Sequence, residues 1–297
     1  NDQSTDRTKR LLEDLMAHYP KLRSVTITYT PKHVTAKKFA LTLGIKVAKN
    51  DVILFTEADC IPQSNQWLRK MTAPIREEGK TFAIGFAGVQ KEGNSLNSWI
   101  QFETILRALF TFSFGLWKSP FTGTGKNLSY RKSFFMDKKG FRGFWNTEGG
   151  EDSLWINTHA TGANSKVVIN PEAIAVANPA ATWKEYIIQE KQLLHSEKFF
   201  KVEDKRKMGS YGISHALYWI GGLGLLIYFG IDLQWEHFLI VLSSMCMRSL
   251  LLLLLFHAAS KNIQGILPKM KVLTNDFLYL GYFWVLGSIS YQAKTNK

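Results

Sequence analysis

Two groups of carboxylates stand in this sequence where metal or acid–base chemistry is feasible. The first is Thr56-Glu57-Ala58-Asp59, which follows the apolar run Asp51–Phe55 and is closed by Pro62. Acid-x-acid at a strand end faces the crevice in which open α/β sheets bind ligands. A single carboxylate there can hold Mg2+ or Mn2+, because waters and a substrate diphosphate complete the shell. Taken alone the motif is weak, since such residues often just cap the next helix. The second group, Glu148-Gly-Gly-Glu151-Asp152, precedes a helical run, Ser153–Thr161. A helix dipole stabilises acids at that place, and repulsion between neighbouring acids raises one pKa toward that of a general base.

Phosphate loops are excluded. Gly123-Thr-Gly125-Lys126-Asn127 resembles a Walker loop, which needs glycine at 120 and Ser or Thr at 127, where Pro120 and Asn127 stand. A dinucleotide fingerprint needs glycine at 128, occupied by Leu128. These glycines are expected to let the backbone approach a ligand or another strand.

The elements that must position these groups alternate along residues 1–210. Ser4 or Thr5 is expected to cap a helix through Tyr19, and Ser24–Thr30 alternates like a strand. Val34–Lys49 and Ser64–Glu78 have helical spacing, while Asp51–Thr56 and Phe82–Val89 are strand-like. Asn94–Trp117 is a long apolar helix containing Glu103 and Arg107, expected against the sheet or the membrane surface. The alternation predicts an α/β fold with a mostly parallel sheet under helices. The chain opens on a strand-to-helix turn, and a sheet strand ahead of Asn1 is expected.

Beyond residue 210 the composition changes. Segments 213–231, 238–259 and 273–291 are apolar and long enough to span a hydrocarbon core of about 30 Å. Each holds an ionisable residue: His215, Arg248 and Asp276. Arg248 is expected to face protein, water or a substrate path, or else to snorkel to an interface. Lys201, Lys205, Arg206 and Lys207 precede the first span, and Asp232–His237 has no Lys or Arg. The third connection carries Lys261, Lys269 and Lys271, so residues 1–210 are expected in the cytoplasm, as at a bacterial-type inner membrane. Lys+Arg 37 against Asp+Glu 24 points to phosphate-bearing partners, and the hydrophobic tail favours nucleotides and membrane lipids over nucleic acid. Twenty Phe, 9 Trp and 10 Tyr exclude disorder, and two cysteines exclude a disulfide framework.

In order, Asp2-x-Ser4-Thr5-Asp6-x-Thr8, Lys37-x-x-Ala40-Leu41-x-x-Gly44, Thr56-Glu57-Ala58-Asp59, Glu151-Asp152 and the spans resemble the membrane-bound family 2 glycosyltransferases, which include cellulose-, hyaluronan- and poly-N-acetylglucosamine-like synthases. The resemblance implies a GT-A (nucleotide-diphospho-sugar transferase) Rossmann-like domain over 1–210 lacking its N-terminal strand, followed by about three transmembrane helices over 211–297. It implies an inverting transfer from a nucleotide sugar, such as a UDP-sugar, to a lipid-linked, glycan or polysaccharide acceptor. By motif, Asp2 would contact the uridine or ribose, Asp6 would brace the turn and Lys37 would lie near the nucleotide. Glu57 would take the place of the first Asp of Asp-x-Asp, Asp59 would hold the metal and Asp152 would be the base, with Glu151 beside the acceptor. The family's Gln-x-x-Arg-Trp pattern falls on an interfacial helix near 182–200, where Gln189 is kept and Gln192 and Leu193 replace the Arg and the aromatic. That departure leaves single-sugar transfer as open as polymer synthesis, and sets a catalytically silent membrane scaffold as the alternative.

Overall fold

The computed structural model describes residues 1–262 and 269–292, with side chains described over 1–260 and 269–282. Helix α1 (Thr8–His18) begins later than the hydroxyls of Ser4 and Thr5 predict, because Asp6 Oδ1 takes the Thr8 N–H at 3.0 Å. The alternating stretch Ser24–Thr30 forms no strand. Ile27 makes one parallel bridge with Asp2, and its N–H donates to the Asn1 carbonyl at 2.9 Å.

From Thr35 the expected alternation holds through α2 (Ala36–Val47), β1 (Val52–Phe55), β2 (Cys60–Pro62) and α3 (Trp67–Arg76). The run Phe82–Val89 divides into β3 (Phe82–Ile84) and β4 (Ala87–Val89), which enter different sheets. Buried Asn127 holds the break, donating to the carbonyls of Phe86 and Ala173 at 2.7 Å each and accepting from Trp67 Nε1 at 3.1 Å. Then come α4 (Ser95–Leu116), β5 (Leu128–Arg131), α5 (Lys132–Asp137), α6 (Ser153–His159), β6 (Ser165–Val167) and β7 (Ala175–Ala177). One sheet has the order β1-β5-β3-β6 and the other β2-β7-β4. In the first, β5 runs against both neighbours while β3 and β6 are parallel, so the sheet is mixed rather than mostly parallel. Phe82, Ile84, Tyr130, Phe135, Trp155 and Ile156 fill its core. Beside β1, at the edge of the sheet, opens a cavity of ≈ 320 Å³ lined by Lys37, Leu41, Ile45, Ile53 and Phe55.

Helix α7 (Trp183–Glu197) leads to α8 (Val202–Ala216), which passes through a π-turn, Leu217–Gly221, into α9 (Gly222–Ile231). Next are α10 (Trp235–Asn262) and α11 (Lys269–Gln292). Among the described residues, two helices are long and apolar enough to cross a membrane, Val202–Ile231 and Trp235–Ser260. The first starts well before the apolar run at Ile213, because Glu203 and Asp204 in its opening turn suit the positive end of the helix dipole. The third expected span falls in α11, whose side chains beyond Tyr282, like the 263–268 connection, lie outside the described residues.

Helix α4 is sandwiched between these layers rather than laid on one surface. Its Ala108 and Phe112 join the sheet core, while Phe102 stacks on Phe256 of α10 with centroids 5.1 Å apart. Trp99 lies 6.0 Å from Tyr279 of α11.

The ionisable residues of the three apolar segments converge on one another. Arg248 Nη1 pairs with Asp276 Oδ2 and its Nη2 with Oδ1 at 3.1 Å, so Arg248 faces protein. His215 Nε2 is 3.0 Å from the Asp276 carbonyl, and Trp219 Nε1 donates to Oδ2 at 3.2 Å. His215 and Trp219, four residues apart on one helix face, both turn toward Asp276. Arg248→Met strands a carboxylate that is 1% exposed and is expected to cost about 3–5 kcal/mol. Adding Asp276→Leu is expected to restore most of that loss, as measured by unfolding in detergent.

Candidate active site

The end of β1, the start of α2, the Gly123–Asn127 loop and the turn before α6 meet at one group of charges. Lys37, on the first turn of α2, bonds Glu57 at 3.0 Å and Glu151 at 2.7 Å. Lys126 Nζ lies 3.8 Å from the other oxygen of Glu57. Burial opposes the Lys37 charge, but Glu151 and Glu57 outweigh it and raise its pKa. Burial likewise pushes Glu151 up, and Lys37 more than reverses this.

Asp152 caps α6. Its Oδ1 accepts the Ser153 N–H at 2.6 Å and its Oδ2 the Gly125 N–H at 2.6 Å. The glycine loop thus makes its close approach to a carboxylate of its own chain: a Cβ on Gly125 would lie 3.4 Å from Asp152 Oδ2. Burial raises the Asp152 pKa and the Glu151 charge adds to it, with the two N–H groups and Lys37 countering only in part. Each oxygen still has a free lone pair. The result is an oriented carboxylate with raised proton affinity.

Position 152 depends on the turn before it. Gly149 and Gly150 have φ of +68° and +78°, left-handed values that side chains resist. Helix α7 packs directly on them. A Cβ on Gly149 would sit 3.0 Å from the Gln192 carbonyl, and one on Gly150 2.9 Å from Leu154 Cβ and 3.0 Å from Ser196 Cβ. Ser153 Oγ and Ser196 Oγ are 3.3 Å apart. From the other side, buried Lys38 donates to the carbonyls of Thr147 and Gly149 at 2.5 and 2.6 Å. Sequence reasoning missed this role of Lys38. Successive helical residues point about 100° apart, so one of two adjacent lysines can enter the turn while the other reaches the carboxylates.

The structure therefore brings Lys37, Glu57, Glu151 and Asp152 together. Asp59 lies just beyond, half-buried, and among the described residues it forms no ion pair. Asp2 is exposed in its bridge to Ile27, and among the described residues its side chain makes no hydrogen bond or ion pair with this group. Gln189 and Gln192 are exposed on α7, with Gln192 meeting the turn through its backbone alone. The buried face of α7 carries Tyr186, Glu190 and Ser196 instead.

Among the described residues no group of three or more His, Cys, Asp or Glu is placed to hold a metal. Glu57 is engaged by two lysines, which leaves Asp59 as the carboxylate open to a cation. One carboxylate completed by substrate phosphates and water suits Mg2+ or Mn2+, which rarely take an all-protein cage.

The family model for Glycosyl transferase family 2 matches residues 1–139. Among solved structures, the mannosyltransferase PcManGT from Pyrobaculum calidifontis, in complex with GDP-Man and Mn2+, is similar in fold. The TM-score is 0.52 at 13% identity, covering 97% of this chain and 72% of that one. No curated protein matches the chain. Over residues 1–139 the chain is thus similar to family 2 glycosyltransferase domains, and the fold is a GT-A-like α/β fold with two candidate membrane-spanning helices after it. Asp152 and α7 lie past the matched residues, and their place in the site rests on the contacts described above.

Lys38→Met leaves two carbonyls of the turn unpaired. The expected loss is about 1–3 kcal/mol per buried group, read from denaturant unfolding.

Proposed function

We propose that the chain is an inverting glycosyltransferase that moves a sugar from a nucleotide sugar to a lipid-linked or glycan acceptor at the cytoplasmic membrane face. The observation that carries this reading is Asp152, oriented by two N–H groups beside Glu151 and Lys37 at the open end of the sheet. In this reading Asp152 removes the proton of the acceptor hydroxyl. The oxygen attacks the anomeric carbon opposite the diphosphate, whose bond to that carbon breaks with inversion. Lys37 holds Glu151 ionised beside the base, which favours the base's protonated form as the proton arrives. Lys126, loosely paired with Glu57, sets a cation at the same edge. A divalent ion at Asp59 would stabilise charge on the departing diphosphate. Asp2 and Lys37 are assigned to the donor's nucleoside side, and Gln189 and Gln192 to the acceptor side.

The domain reading is a cytoplasmic unit over 1–210 and a membrane unit over 211–297. It is supported by apolar side chains exposed along the two candidate spans, such as Ile213, Leu217, Ile227 and Ile240. The basic run Lys201–Lys207 before α9 and the lack of Lys or Arg in 232–237 favour a cytoplasmic catalytic face. The mannosyltransferase neighbour, solved with GDP-Man, widens the donor candidates from UDP-sugars to GDP-sugars.

The test is a screen of radiolabelled UDP- and GDP-sugars on membranes containing the chain, with and without Mn2+. Transfer with one donor is expected, and release of nucleoside diphosphate no faster than background for every donor would overturn the reading. Asp152→Asn is expected to lower kcat by roughly 10²–10⁴-fold with donor affinity nearly kept. Equal loss of binding would make Asp152 structural. Asp59→Ala is expected to remove the metal-dependent part of donor binding, measured by calorimetry. Because the Asp152 pKa is raised, kcat should fall with decreasing pH at values above the ordinary carboxylate range.

A further inference from the structure

Helix α7 has a second tie, away from the catalytic turn, and it runs through one guanidinium. Arg107 of α4 donates from Nε to Glu103 at 2.7 Å and from Nη2 to Glu190 of α7 at 2.5 Å. Its Nη1 is 3.5 Å from Glu197 of α7, and Nη2 is 3.0 Å from the Tyr282 hydroxyl of α11. The Tyr282 hydroxyl, with one proton to donate, lies 2.9 Å from Glu103 and within hydrogen-bond reach of Glu190. Tyr186 of α7 donates to Glu103 at 2.7 Å and accepts from Trp99 Nε1 at 2.8 Å. Three helices, one of them following the candidate membrane spans, are therefore joined by three buried carboxylates around one cation. An adjoining side of α7 bears the Gly149–Gly150 turn on the Gln192 carbonyl and Ser196. Neither Glu103 nor Arg107 touches the proposed reacting groups.

We propose that Arg107 is a positioning residue for Asp152: by clamping Glu190 and Glu197 against α4 and α11, it fixes the helix on which the catalytic turn rests. This inference rests on the reading of Asp152 as the base. Its geometry predicts that the clamp responds to charge. The groups facing Glu190 are Glu103 and Arg107 from α4, Tyr186 and Glu197 from α7, and Tyr279 and Tyr282 from α11. Burial pushes Glu190 up to about 8 despite Arg107, and raises Glu197 as well. Arg107 opposes that shift at both carboxylates, so its guanidinium is what lets their charges sit between the helices.

The test uses the full chain in detergent and two readouts, steady-state kinetics and amide hydrogen exchange. In Arg107→Gln, kcat is expected to fall at least ten-fold with donor KM within two-fold, and Arg107→Lys to recover part of it. Exchange should quicken at least ten-fold at the Gly125, Ser153 and Trp155 amides, whose acceptors are Asp152 and Gly150. Arg76→Gln, at the exposed end of α3, should not change those amides. Glu190→Gln, which removes one charged arm of the clamp, should quicken the same amides, and unchanged exchange there counts against the clamp. Unchanged exchange in Arg107→Gln overturns the proposal, as does exchange raised uniformly over the whole chain. If Arg107→Gln fails to fold, Tyr282→Phe, which deletes one hydroxyl, must quicken the same amides about three-fold or the proposal falls. A wild-type chain without transfer activity would sink the transferase reading, while the exchange measurement still decides whether Arg107 holds the turn.

Discussion

Carboxylates crowded into one partly dry cleft repel each other and resist desolvation, so they coexist only where a cation stands between them. Lys37 is that cation. Placed on the first turn of α2, it reaches Glu57 at the end of β1 and Glu151 beside Asp152. Without it two segments far apart in sequence would drive each other away. With it, Glu151 stays ionised and the remaining repulsion falls on Asp152, which is held by two backbone N–H groups. Lys37 thereby joins the site and also sets the difference in proton affinity between its acids.

The same arrangement recurs at two other levels. Arg107 holds three carboxylates between α4, α7 and α11, and Arg248 holds Asp276 between α10 and α11. In each case the acids come from more than one element or face another element's cation, so charge pairing doubles as a register between helices. Helix α4 is the hinge of this scheme, sharing Phe112 with the sheet core and Phe102 with α10. The sheet-bearing unit and the apolar helices are consequently not beads on a linker. They share a helix.

Much of this was legible in the sequence because it is local. The α2, β1 and α4 positions follow from periodicity, and Asn94 caps α4 as the boundary at that residue anticipates. Glu57, Glu151 and Asp152 stood out as acids at element ends, where backbone geometry alone exposes them. What was hidden depends on distant partners. Ser24–Thr30 has strand alternation but forms a single bridge, and the division at Gly85–Phe86 needs Asn127, which lies over forty residues on. Lys38 reads like any surface lysine until Thr147 and Gly149 turn their carbonyls to it. On α7 the family pattern drew attention to Gln189 and Gln192, whereas the inward face is Tyr186, Glu190 and Ser196. The isolated charges at 215, 248 and 276 were conspicuous singly, and only the fold shows that they answer one another.

The π-turn at Leu217–Gly221 has a bearing on how the long helix is phased. Such a turn amounts to one residue inserted into an α-helix, and each residue advances the helix by about 100°. Everything from Gly222 onward is thus rotated relative to the basic segment that begins at Val202. Deleting one residue there would restore regular winding but turn α9 by about 100° about its axis, moving part of the face that meets α10 out of that contact. The irregular turn is a phase adjuster between two halves that want different orientations.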